Sequence, residues 1–178
     1  MNKVREKHRL QVKRAFEQNT GLRELYLSIL CRMSHTTASN ERKEQIASSV
    51  VRNFVIKNEI QSGLPHSKAT QSADIKVTQI LNEIRSIRRE ERALERSAIA
   101  KKNATDAKTD AIKDLFLESS MLYNQAAQLY RHIMYASGNA GMNTTSLAER
   151  ASRTMREAHI SYIFAEEASA DTSAEINF

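Results

Sequence analysis

Very little in this sequence can end a helix. Its 178 residues include four glycines and one proline, and there is no tryptophan; phenylalanine and tyrosine together make up 6%. So few breakers argue for helices throughout. The one cysteine, Cys31, has no partner for an internal disulfide, so the fold does not depend on an oxidising compartment. Leu25, Ile29 and Leu30 lie around it at helical spacing, and the thiol is expected to be buried and inert. No apolar run approaches bilayer-spanning length, and the start MNKVREKHRLQVKRAF lacks the apolar stretch of a secretory signal. A basic amphipathic start also suits a mitochondrial presequence, although Glu6 and the scarcity of serine count against one. The expected location is cytoplasmic or within a macromolecular assembly, virions included, with a mitochondrial one left open.

Catalytic signatures are missing as well. There is no HExxH, no Cys–His cluster, no Walker loop and no GxGxxG. The histidines, His8, His35, His66, His132 and His159, are scattered, and none follows a glutamate at the three-residue spacing of di-metal bundles. The expectation is a protein that is not an enzyme, with no metal and no cofactor.

What is present is charge and periodicity. Apolar residues make up 40% and charged residues 27%, with a net charge of +6. That net value hides a gradient. The N-terminal arm holds Lys3, Arg5, Lys7, Arg9, Lys13 and Arg14, whereas from Glu157 onward there are acids and no Lys or Arg. Such polarity can steer self-association or draw an anionic partner to one end.

The spacing predicts a first helix to about Met33, with Leu22, Leu25, Tyr26, Ile29, Leu30 and Met33 on one face. Ser39 or Asn40 can cap a second helix, which runs to about Asn58 with Ile46, Val50, Val51 and Phe54 on its apolar face. Residues 1–60 thus read as an N-terminal helical region with a basic arm, and 61–71, with the only proline, as a linker. From about 72 to 136 neither glycine nor proline occurs, and one heptad register runs from Val77 to Ala136. Its centre is weak: Glu91, Lys101, Thr105 and Lys108 fall on the seam. Continuity through 101–110 is favoured over a turn in which Thr109 or Asp110 caps a new helix. A Gly-containing turn at 137–145 follows, then a helix over 146–168 opened by a Ser146/Glu149 capping box. It carries Leu147, Ala151, Met155, Ala158 and Tyr162 on one side, and an acidic tail, 169–178, closes the chain. The fold expected is all-α: a helical bundle with one very long coiled-coil-type helix, about 72–136, flanked by shorter helices.

A helix of that length cannot be covered by its short neighbours, so a structural or assembly role follows. The chain would oligomerise or dock in a larger complex through the seam Ile80, Ile84, Ile87 and Leu94 with Ile112, Leu115, Leu122, Leu129 and Ile133. The weak centre between the two zones would be a hinge, or a place where the strands are open to a third partner. A rival reading is a nucleocapsid-like protein that holds phosphates of RNA or DNA with its basic arm and the ridge Arg85, Arg88, Arg89, Arg92 and Arg96. Against this, all five arginines lie off the seam, where a solvated helix face needs charge anyway. No aromatic residue from 55 to 115 is available to stack on bases.

Two short segments resemble known families. DLFLESSMLYNQAAQLYRHIMY (114–135) is similar to the assembly helix of syntaxin-type SNAREs, with Phe116, Met121, Leu122, Ile133 and Tyr135 in matching places. It departs where that family places a buried glutamine, a position taken here by Ala126, with Gln125 one residue off the seam. Leu129–Tyr130–Arg131 resembles the tripeptide of the LYR family of mitochondrial assembly adaptors, which there opens a three-helix domain. The earlier Leu25–Tyr26–Leu27 has room for such a domain but lacks the arginine. Both resemblances imply an adaptor that works by helix pairing.

Overall fold

A computed structural model of the chain describes residues 19–136 and 144–175, with the side chains described to 172. These residues form five helices: α1 Thr20–Arg32, α2 Asn40–Gln61, α3 His66–Asp106, α4 Asp110–Ala136 and α5 Thr145–Glu175. The chain is all-α, and its longest helix, α3, has 41 residues. The basic arm (Lys3 to Arg14), the 137–143 part of the Gly-containing turn, and Ile176 and Phe178 lie outside the described residues.

The bounds of the long helix differ from those expected. It starts at His66, inside the stretch read as a linker, and stops at Asp106. The non-helical part of 61–71 shrinks to a turn over 62–65. There Gly63 sits at φ +96°, its N–H bonded to the Ile60 carbonyl and the Leu64 N–H to the Glu59 carbonyl, both at 3.0 Å. This is the Schellman arrangement, which needs a left-handed residue where glycine stands. The second stop, at 107–109, requires neither glycine nor proline: the Thr109 hydroxyl accepts from the Ile112 N–H at 3.3 Å and caps α4. So the far end of the weak centre, at Lys108, is a turn, whereas Glu91, Lys101 and Thr105 stay helical on the exposed side of α3.

At the other ends, Ser39 caps α2 by accepting from the Arg42 N–H at 3.3 Å. Helix α5 begins at Thr145, which puts Ser146 inside the helix rather than at its cap, with Glu149 beyond the first turn, and it runs on to Glu175 through most of the stretch read as an acidic tail.

The chain divides into two compact units. The first takes in residues 19–84. Tyr26 from α1, Ala47, Val51 and Val55 from α2, and Ala73, Ile80 and Ile84 from α3 form its core, flanked by Leu22, Leu25, Ile29, Leu30 and Met33. Burying one such large side chain contributes about 1.5–3 kcal/mol. The apolar face of α2 is rotated from the one expected: Ala47, Val51 and Val55 point inward, leaving Val50 and Phe54 exposed. Cys31 is exposed too, not buried.

The second unit takes in 85–136 and 144–175. The latter part of α3 runs antiparallel to α4, which runs antiparallel to α5, and the contacts repeat every seven residues. Ala93, Ala126 and Ala151 meet in one layer with Tyr130 and Ile133. Ala104, Ile112, Phe116 and Ala165 meet in another. Between them lies a polar layer. Ser97 Oγ and Ser120 Oγ are 2.9 Å apart, Ser120 donates to the Ser97 carbonyl at 3.1 Å, and Ser119 donates to the Ala158 carbonyl at 2.8 Å. Every buried hydroxyl in this layer is satisfied, which is what makes it tolerable in a core.

Candidate interaction surfaces

The nine residues expected to form an intermolecular seam mostly line the chain's own cores. Ile80 and Ile84 are buried in the first unit, Ile112 and Ile133 in the second. Ile87, Leu115, Leu122 and Leu129 are half-buried. Leu94 is 41% exposed because the inward face of α3 there runs through Ser86, Ala93, Ser97 and Ala100, one residue out of step with the expected register. On α4 the seam residues 112, 119, 126 and 133 do face inward. A parallel row, Phe116, Tyr123 and Tyr130, is buried beside them, and the expected seam did not include it.

That row explains part of the arginine ridge. Arg85, Arg88, Arg89, Arg92 and Arg96 are all exposed on α3. Seven residues apart, the Arg89 guanidinium lies 5.8 Å from the Tyr130 ring centre and that of Arg96 lies 5.9 Å from the Tyr123 ring centre. Each such cation–π contact contributes about 0.5–1 kcal/mol at an exposed site. One heptad further along, Asn103 Nδ2 donates to the Tyr162 hydroxyl at 2.9 Å, and Tyr162 meets Phe116 edge-on at 5.5 Å. Glu90 on α3 accepts from Arg131 Nε on α4 at 2.7 Å, and this contact raises the Arg131 pKa. Two of the five ridge cations are thus laid over rings of the facing helix. A cleft of about 170 Å³ beside it is lined by Arg96, Ile99, Tyr123, His159 and Tyr162.

The first unit holds a buried ion pair that periodicity could not reveal. Glu83 has no solvent exposure; it accepts from Arg23 Nη1 at 2.5 Å and from Asn19 Nδ2 at 3.2 Å. Burial raises the Glu83 pKa above the usual glutamate range, against the lowering effect of Arg23 and Asn19. Arg23 Nη2 also reaches the Thr20 hydroxyl at 3.0 Å, so the pair ties the start of α1 to α3. Nearer the surface, Lys76 and Ser72 donate to Glu59 and hold its pKa down, and Arg52 does the same for Asp74.

Large apolar side chains remain uncovered. On α2, Val50 is 43% and Phe54 47% exposed, one turn apart; on α5, Ile160, Ile163 and Phe164 are 52%, 38% and 57% exposed. The spacing of these residues is legible in the sequence: on α2 it suggests an inward face, and on α5 the apolar residues fall away from the side that Ala151 and Ala158 define. Among the described residues no group of His, Cys, Asp and Glu is placed to hold a metal ion, and no helix is long and apolar enough to cross a membrane. The SNARE-like segment falls in α4, with Ala126 buried and Gln125 exposed, so the buried glutamine has no counterpart. Leu129–Tyr130–Arg131 lies near the C-terminal end of α4 rather than at the head of a three-helix domain. No family model, no curated protein and no solved structure matches this chain.

Proposed function

We propose that this protein is a non-enzymatic assembly subunit that docks onto other protein chains through exposed apolar helix faces, rather than through the continuous seam that the heptad register implied. One observation carries the reading. Both units have buried apolar cores and still leave large aliphatic and aromatic side chains in water at one-turn spacing, Val50 with Phe54 and Ile160 with Phe164. Lone exposed hydrophobics need no explanation, but stripes of them at helical spacing are the form in which helices meet partners. The test is the size of the particle that contains the chain in the cell that makes it. Fractionation of a native extract is expected to place the chain well above the mass of one or two copies. Val50→Glu with Phe54→Glu is expected to return it to the small fraction with unchanged helical circular dichroism. A chain that travels alone in both cases ends the proposal.

A second, narrower form of this reading is a LYR-like adaptor built on the first unit. It is favoured by the position of Leu25–Tyr26–Leu27: α1, α2 and the start of α3 follow as a three-helix unit with Tyr26 in its core. Leu27, exposed at 44%, stands where the family has arginine. A fluorescent fusion of the full chain is expected to colocalise with mitochondria if this form holds; a wholly cytosolic distribution removes it. The nucleocapsid-like alternative loses support from the engagement of Arg89 and Arg96 with tyrosines. Binding to random-sequence RNA that falls steeply with salt would restore it.

A further inference from the structure

We infer that two copies of this chain pair antiparallel along the outer face of α5. This rests on the assembly reading above and names one of its partners. From residue 153 onward, and after an exposed Glu149 one turn earlier, the side of α5 turned away from Ala151, Ala158 and Ala165 carries three segments in order. Arg153 and Arg156 come first, then Ile160, Ile163 and Phe164, then Glu167 and Asp171, and every one of these side chains is exposed. The apolar group is the most exposed cluster of large hydrophobics in the second unit, at 52%, 38% and 57%.

The order of those segments selects the occupant. A two-fold contact is isologous, so each patch must complement itself. Centre an antiparallel pair of α5 helices near residue 162, and Ile160 of one copy faces Phe164 of the other. Arg153 then faces Asp171, and Arg156 comes beside Glu167, at both ends of the contact. Glu157 lies farther round the helix, one turn from Arg153 of its own copy, where it does not oppose the pairing. A parallel pair would set arginine against arginine and acid against acid, and like charges brought together oppose pairing. The stripe from 153 to 171 spans about 27 Å at 1.5 Å per residue, a short interface that belongs with reversible complexes.

Sedimentation of the full-length protein over a concentration series tests the pairing. Wild type is expected to pass reversibly from one to two copies. Arg153→Glu with Arg156→Glu, and separately Glu167→Arg with Asp171→Arg, are each expected to weaken self-association by more than about tenfold, with helical circular dichroism unchanged. Mixing the two variants is expected to restore a dimer containing one of each, and all four substitutions in one chain are expected to restore self-pairing. Wild type that stays a single copy throughout overturns the inference, as do charge-reversed variants that pair as well as wild type, or a mixture that fails to pair. A single-copy protein still found in a large native particle through Val50 and Phe54 sinks this pairing and leaves the assembly role standing.

Discussion

The two units solve the same packing problem with opposite materials. The first fills the space among its helices with bulk: Tyr26, Val51, Val55, Ile80 and Ile84 converge, and an ion pair, Arg23 with Glu83, is buried beside them. The second removes bulk from two of its helices. Ala93, Ala100 and Ala104 on α3 and Ala151, Ala158 and Ala165 on α5 are almost wholly inaccessible, while α4 supplies the large groups Phe116, Tyr123 and Tyr130. Small residues let helix backbones come close, which is also why serine hydroxyls can reach carbonyls of the facing helix. A core of large side chains tolerates repacking; one in which small residues set the helix spacing does not.

That contrast can be broken most severely in the first unit. Arg23→Met leaves Glu83 buried without its cation, and a loss of about 3–5 kcal/mol in unfolding free energy is expected by chemical denaturation. Adding Glu83→Leu should recover most of it, because replacing both charges by apolar groups removes the desolvation cost. A double variant no better than the single one would mean that the ion pair specifies the α1 position rather than merely surviving there. In the second unit, Ala158→Leu is expected to cost about 1–3 kcal/mol through overpacking. Ala98→Leu, at an exposed position on α3, should stay within about 0.5 kcal/mol. Equal effects at the two sites would deny that small residues set the spacing. Thr109→Ala, which removes the α4 cap, should cost about 1 kcal/mol.

The smallest effect is a slope with pH. Because the folded pKa of Glu83 is raised, the folded state binds its proton more tightly than the unfolded chain does. Stability from this group is therefore greatest at acid pH, declines as pH rises from the ordinary glutamate value to the folded one, and is flat above. Glu59 and Asp74, with lowered values, act in the other direction: their contribution is lost as pH falls below the ordinary carboxylate range. The difference in unfolding free energy between wild type and Glu83→Gln should thus shrink as pH rises through the mildly acidic window. A difference that grows there would contradict the burial of this carboxyl.

The same contrast accounts for what could be read without coordinates. In the first unit, Leu22, Leu25, Tyr26, Ile29, Ile80 and Ile84 announced their faces because large apolar side chains dominate any periodic pattern. In the second unit, pattern reading favoured Ile87 and Leu94 over Ala93 and Ser97, since hydrophobicity grows with size, and so it placed the register one residue out. The same preference put Val50 and Phe54 inside, when Ala47 holds the close contact and Val50 faces water. The reversal at 107–109 was visible only as polar seam residues and a threonine. Without glycine or proline to enforce a stop, tertiary packing decided between a continuous rod and a turn. Arg23 with Glu83 left no trace in sequence, because two charges 60 residues apart look like any solvated pair.

The three residues 107–109 that join α3 to α4 also bear on how the chain acquires its shape. Bringing two strands of a helical hairpin together across so short a connection sacrifices little chain entropy, and contacts between near neighbours form in the microsecond-to-millisecond range. During synthesis, the α3–α4 pair can close once Ala136 has cleared the ribosome, before α5 has emerged from it, and the last helix then completes the layer.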